Sequence, residues 1–204
     1  MSNDFVHLHN HTHYSLQDAA CTVDGLIEET LANQMDAIAL TDHGVMYGIS
    51  EFYKKAKKVG IKPIIGCEIY ITRGGSRFDR GSEVTPGRSR AKHYNHIVLL
   101  AKNKVGYQNL LKLTTQGFTE GFYYKPRIDM ELLKERSEGL ICTSACLAGP
   151  ISSLLLNNDY EKAREVSLQY REVFGDDFYL EIQDHGLEND QAILQGMPKL
   201  SKEL

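Results

Sequence analysis

The sequence predicts an α/β fold, a largely parallel sheet jacketed by helices, on three observations. Short apolar runs rich in branched residues alternate from end to end with stretches of helical periodicity. Side chains able to do chemistry collect where those runs end, as they do at the carboxyl ends of strands in α/β proteins. A chain of 204 residues, 42% hydrophobic and 25% charged, also suffices for one sizeable core. Repeated βα alternation fits an open doubly wound sheet or a closed barrel. Several polar strand ends sharing one centre favour an irregular barrel, here of about six βα units.

The elements follow in order. A first strand is expected from Asp4 to His9, continuing into a row of imidazoles at every second position, His7, His9, His11 and His13. On an extended backbone such residues share a face, about 7 Å apart. A helix over Val23 to Gln34 leads to a strand from Asp36 to Thr41, and a helix over Tyr47 to Val59, closed by Gly60, to a strand from Ile61 to Ile71. The strand His96 to Ala101 precedes a helix over Val105 to Thr115 with Asn103 as N-cap. The strand Gly139 to Ser144 precedes helices over Leu147 to Leu156 and Tyr160 to Phe174, the latter capped by Asp159, before a last strand from Asp177 to Gln183. Glu188 to Leu204 reads as a helix interrupted by Pro198 with no strand after it, so the sequence reads as a fragment.

Two stretches break the alternation. Residues 73–92 hold Arg73, Arg77, Arg80, Arg88, Arg90 and Lys92 against Asp79 and Glu83, with four glycines, and read as a mobile, locally basic loop. Gly121 to Asp129 is too aromatic for a linker and reads as a packed, fixed loop, with Lys125 and Arg127 in structural roles.

Composition excludes several classes. No apolar run approaches the roughly 18 residues of a membrane span, and the amino terminus lacks a basic segment followed by an apolar one. A soluble, cytoplasmic chain without a membrane partner is expected. The net charge of −4 argues against a wholly basic nucleic-acid binder while allowing a local patch, for which Arg88, Arg90 and Lys92 are the candidates. Cys21, Cys67, Cys142 and Cys146 follow no small-scaffold disulfide rhythm, so free thiols or one thiolate ligand are expected.

The imidazole row has little packing value, whereas neutral imidazole is the commonest metal ligand. Asp42-His43 at the end of the second strand, Glu68 late in the third and Asp18 a short loop after His11 add further donors. Asp42 is expected to orient a neighbouring ligand. His and carboxylate together suit zinc, manganese or iron, with magnesium less favoured. Several such ions held close together equip a site to hydrolyse a phosphoester. Cys67 lies one residue from Glu68, so alternation turns it to the opposite face. His7 and His13 share the row without being assigned as ligands.

His9-x-His11, Thr41-Asp42-His43-Gly44, Glu68 and the strand at His96 resemble the polymerase and histidinol phosphatase (PHP) domain. Phe5 to Leu16, Phe52 to Ala56, Lys62 to Gly66, Leu99 to Asn103 and Gly121 to Asp129 resemble more narrowly the amino-terminal region of bacterial DNA polymerase III alpha subunits. The resemblance covers essentially the whole chain. It implies a distorted (β/α)7 barrel with up to three divalent metals, held by His9, His11, Asp18, His43, Glu68, His96 and a cysteine best placed at Cys146. A closing Asp-x-His of the family has no counterpart here, since the late His185 stands in the order Asp184-His185. The implied activity is 3′→5′ proofreading hydrolysis of DNA in the intact protein, weak or absent in this chain alone, with DNA synthesis in later domains and other replication subunits as partners. A free-standing histidinol-phosphatase-like phosphoesterase and a non-catalytic, metal-stabilised scaffold are the alternatives.

Overall fold

A computed structural model describes residues 5–16, 18–80 and 94–204. Its elements are α1 (Val23–Ala32), β1 (Ala37–Leu40), α2 (Ile49–Lys58), β2 (Lys62–Thr72), β3 (Tyr94–Ala101), α3 (Lys104–Thr119), β4 (Phe122–Tyr123), β5 (Lys125–Ile128), α4 (Met130–Glu135), β6 (Leu140–Thr143), α5 (Pro150–Leu156), α6 (Tyr160–Phe174), β7 (Phe178–Tyr179) and α7 (Asp190–Glu203). The α/β expectation holds, and α6 has the bounds expected of it. No helix among the described residues is long and apolar enough to cross a membrane.

The long strand β2 organises the sheet. Its first half pairs in parallel with β1, from Ala37 opposite Lys62 to Leu40 opposite Ile65. On the same edge its second half meets β5, also parallel, at Tyr70 and Ile71. The opposite edge pairs with β3, and β3 then pairs with β6, both antiparallel, before β6 meets β7 in parallel. The sheet is therefore mixed, and β3 departs from the largely parallel arrangement expected. Parallel neighbours need a crossover, usually helical, and the glycine-rich stretch after β2 encodes no helix.

Caps and packing explain the helices. Asn103 accepts from the Gly106 amide at 3.0 Å and Asp159 from the Lys162 amide at 3.2 Å, as expected, and Thr22 and Asp129 cap α1 and α4 in the same way. Cys67, Ile69, Ile71, Ile97, Leu99 and Cys142 of the sheet pack on Leu110, Leu113, Leu132, Leu133 and Tyr170 of α3, α4 and α6. A second cluster joins Val23 and Ile27 of α1 to Leu40, Phe52 and Ile61, and a third joins Ile151, Ala163 and Met197 of α5, α6 and α7. Each large side chain fully buried this way contributes about 1.5–3 kcal/mol.

Three segments differ from expectation. Residues 5–10 form no regular strand; two backbone bonds tie them to β1, Ala39 N–H to His7 C=O at 3.0 Å and Thr41 N–H to Asn10 C=O at 2.9 Å. Asn10 fills the rest of that edge, its side-chain amide donating to the carbonyls of His7 and Ala39. The last strand shrinks to Phe178–Tyr179 after a single 3-10 turn at Gly175–Asp177. The aromatic loop is a tight hairpin, β4 against β5, turning at Tyr124 with φ 61°.

Arg127 is buried there, donating to the carbonyls of Gly121, Arg77 and Asp79, and Lys125 lies over the Tyr70 ring. The burial and hydrogen bonds of Arg127 accord with a structural role, whereas Lys125 is exposed. Arg77 in turn binds Glu120 at 2.8 Å and Asp129 at 3.0 Å, anchoring the start of the basic stretch. Its remainder, with Arg88, Arg90 and Lys92, lies outside the described residues.

Candidate metal centre

Glu68 stands at the middle of the site, on the buried second half of β2, with its side chain 1% exposed. Alternation sends Cys67 the other way, into the core, where its thiol donates to the Asp42 carbonyl at 3.2 Å. Four imidazoles surround the carboxylate: His43 Nδ1 at 2.5 Å, His96 Nδ1 at 2.9 Å, His11 Nε2 at 3.3 Å and His9 Nε2 at 3.5 Å. Burial alone would raise the Glu68 pKa; its contacts with His11, His43, His9 and His96 win and hold it well below the usual carboxylate range.

The fold brings these residues in from four directions. His9 and His11 ride on the extended amino-terminal segment beside β1. His43 follows β1 and bridges to Glu68 in continuation of the parallel pairing. The chain then turns at Gly44, with φ 66°, where a Cβ would sit 2.9 Å from the Tyr70 ring, so only glycine lets the backbone pass. His96 opens its strand, yet because β3 runs antiparallel its first residues lie beside the end of β2, opposite Tyr70 and on the Glu68 face.

Asp18 reaches His43 Nε2 at 2.8 Å, and burial, which disfavours the imidazolium, is outweighed by Glu68 and Asp18, raising the His43 pKa. Asp42 touches none of the imidazoles. Buried, it accepts from the Thr12 amide at 2.6 Å, the Thr12 hydroxyl at 2.9 Å and the Ser15 hydroxyl at 2.7 Å, and Ser15 Oγ accepts from the His43 amide. It thereby fastens the turn bearing His11 and Asp18 to the loop bearing His43.

The Cys146 thiol lies 3.7 Å from Glu68 Oε1, and burial followed by the Glu68 charge pushes its pKa up to about 11. Cys142 is wholly in the core. His7 packs edge-on against Phe5 and His13 tilts against Tyr14, neither belonging to the donor groups around Glu68, while His185 is held through its backbone by Asp190.

Sequence reasoning missed Glu181. Its Oε1 lies 2.6 Å from His9 Nδ1 and accepts from Gln183 at 2.6 Å, its other oxygen accepts from the Thr143 hydroxyl, and its amide donates to Ser144 Oγ at 2.8 Å. The available signal was an acid late in the expected strand Asp177 to Gln183, as Glu68 is late in its own. Burial lowers the His9 pKa, but Glu181 and Glu68 more than compensate, raising it to about 10. A proton on Nδ1 shared with Glu181 leaves Nε2 facing Glu68.

Donor atoms gather in three overlapping groups, each within 4.8 Å: His9, His11 and Glu68; His11, Asp18 and His43; His43, Glu68 and His96. His11 Nδ1, His43 Nδ1 and Glu68 Oε2 are buried without a hydrogen-bond partner among the described residues, the last two meeting closely but out of hydrogen-bond alignment. Buried polar atoms left in this state are what a divalent cation would satisfy, and the nitrogen and carboxylate donor set fits one.

Comparison with known proteins identifies the family. The PHP domain family model matches residues 7–185. DNA polymerase III subunit alpha of Borreliella burgdorferi is 46% identical over 200 residues, 98% of this chain and 17% of that protein, and its namesake in Treponema pallidum is 47% identical over 190 residues, 93% of this chain and 16% of that one. The chain thus spans about a sixth of the length of these relatives. A solved structure of an amidohydrolase from Chromobacterium violaceum aligns over 83% of this chain and 39% of its own at 18% identity and a TM-score of 0.36, a likeness on which nothing rests. With nearly its whole length matched and the motif histidines gathered about Glu68, the chain belongs to the PHP domain family.

Proposed function

We propose that this domain hydrolyses phosphodiester bonds with divalent metals held by His9, His11, Asp18, His43, Glu68 and His96, and that it does so within a DNA polymerase III alpha subunit. The carrying observation is the convergence of four imidazoles on one buried carboxylate, 2.5 to 3.5 Å from its oxygens. When bound, such ions activate water and neutralise charge on the phosphate oxygens. Glu68 supplies the negative charge that makes a cluster of imidazoles attractive to cations, Glu181 fixes the His9 tautomer, and Asp42 sets the distance between His11 and His43. Zinc, manganese or iron suits these donors better than magnesium. Cys146 is an adjunct ligand, becoming a thiolate only where a cation displaces its proton. The relatives' name supports DNA as substrate and other polymerase subunits as partners, with synthesis in parts of the protein beyond this chain; attack at a 3′ end is part of the proposal.

The test pairs elemental analysis with hydrolysis of 3′-labelled single-stranded DNA, for this chain and a full-length alpha subunit containing it, each with Glu68→Gln. Metal retained by the unaltered proteins, and a DNA-hydrolysis rate in the full-length subunit that falls at least about 100-fold in the variant, are expected, on the scale of lost electrostatic stabilisation. Metal binding with a rate indifferent to Glu68→Gln would favour a structural centre. Turnover of histidinol phosphate with DNA untouched would favour a small-molecule phosphatase.

A further inference from the structure

Beside the metal centre the protein opens into a cleft of about 540 Å³, lined by His43, His96 and Asp18 on the metal side and elsewhere chiefly by aromatic rings, with Ser15, Leu16, Val45, Lys125 and Pro126 between them. That volume lies within the roughly 300–1,000 Å³ of clefts that take small ligands. Tyr70 and Tyr94 form the inner wall, Tyr70 stacking on His43 at 6.0 Å and Tyr94 on His96 at 5.9 Å. Further out stand Tyr47, 66% exposed, and the stacked pair Phe118 and Phe122, 39% and 50% exposed, with Lys125 among them.

The backbone is shaped around this cleft. A Cβ at Gly48 would sit 2.7 Å from the Tyr14 ring, as one at Gly44 would strike Tyr70, so two glycines admit two of the lining rings. Rings exposed around an opening lose apolar burial without a folding benefit, which marks such patches as binding surfaces. Flat rings in series with a cation and a phosphate-chemistry centre at the inner end match what nucleobases and their backbone require.

We propose that this cleft is a base-stacking subsite, in which Tyr47 and Phe122 hold the last one or two bases of a single DNA strand while Lys125 meets the backbone, placing the terminal phosphodiester at Glu68 and His43. The proposal rests on the phosphodiesterase reading and adds to it how substrate is chosen: by base planes, without sequence preference. The residues argued to stack touch no group of the metal centre, so their loss changes binding while leaving the centre whole.

The experiment uses the full chain with manganese and a deoxythymidine decamer ending 3′ in 2-aminopurine, whose fluorescence is quenched on stacking. The wild-type chain should quench the label, and Tyr47→Ala with Phe122→Ala should abolish the quenching and raise Kd at least about tenfold, the lower range for base–aromatic stacks. A decamer with an abasic 3′ terminus should bind the wild type as weakly as the normal decamer binds the double variant. Tyr47→Trp should restore binding and bring a tryptophan signal, quenched on titration, into a sequence that has none. Bound manganese should be equal in every variant. No binding by the wild type, equal binding of the abasic decamer, or unchanged affinity in the double variant overturns the subsite. Base-dependent binding by this chain, with a full-length alpha subunit containing it hydrolysing no phosphodiester, would overturn the activity and leave the subsite standing.

Discussion

Glu181 shows how much one side chain outside a recognisable motif can govern. It accepts from His9 at 2.6 Å and from Thr143 and Gln183 besides, so its orientation is overdetermined and it dictates which nitrogen of His9 faces inward. Carboxylates that fix a ligand imidazole are worth about 10–100-fold in metal affinity, and Glu181→Gln should weaken manganese or zinc binding by that factor in a competitive chelator titration. The same pair couples metal binding to pH. Because the His9 pKa is raised to about 10, its contribution to the metal-free fold is fully present below about 6.5 and is lost as pH rises through about 10. A cation must displace that proton, so apparent metal affinity should climb with pH over this window, and calorimetry in two buffers of different ionisation enthalpy should show proton release that Glu181→Gln diminishes.

At this scale the sequence was legible where ligands sit in tight motifs, as in His9-x-His11 and Asp42-His43. It was opaque for Glu181, because a lone acid within an expected strand differs in nothing from one on a solvated strand face until the fold sets it beside His9.

Among the elements, α4 and the β4–β5 hairpin depend on one polar knot. Asp129 caps α4 through the Leu132 amide at 3.0 Å and accepts from both the backbone and the guanidinium of Arg77. Burial opposes its ionisation, but the Arg77 and Leu132 N–H groups and the Arg77 charge hold its pKa below the usual value. Asp129→Ala removes a cap and the charged hydrogen bonds to Arg77, which keeps Glu120, and should cost about 2–4 kcal/mol in urea unfolding. A depressed carboxyl pKa adds stability that is present above the ordinary value near 3.9 and lost as pH falls through the folded value. The wild type should therefore lose more stability between pH 7 and pH 3 than Asp129→Asn does.

Element identity was readable from period and caps, and α6 with its Asp159 cap is the clearest case. Strand direction was not: His96 opens its strand where the other donors close theirs, and only the antiparallel pairing of β3 brings it to them. The cue was the run of glycines after β2 where a crossover helix would be needed. Residues 5–10 misled for another reason, since Asn10 and Thr41 satisfy by side chain what a strand would satisfy by ladder.

For the whole molecule, the three hydrophobic clusters stabilise a shell around a centre that itself opposes folding, with buried donors unsatisfied and four imidazoles crowded together. Cations should relieve that opposition. At a free concentration 100 times Kd, a single bound ion stabilises by about 2.7 kcal/mol, so adding manganese or zinc to stripped protein should raise Tm by several degrees, and Glu68→Gln should flatten the response. Overall architecture was legible because alternation of apolar runs reports on the whole chain at once, while the mixed direction of the sheet depends on connections whose residues carry no periodic signal.

The arrangement of β2 makes correct assembly self-verifying. Were this strand to settle one position out of step, Cys67 would be offered to the imidazoles, Glu68 would be driven into oil, and Ile69 and Ile71 would be turned out of the core they fill. The greasy side of the strand thus acts as a ratchet for its reactive side: no chain can reach its lowest energy with the wrong atom at the middle, and every molecule that packs well is already armed.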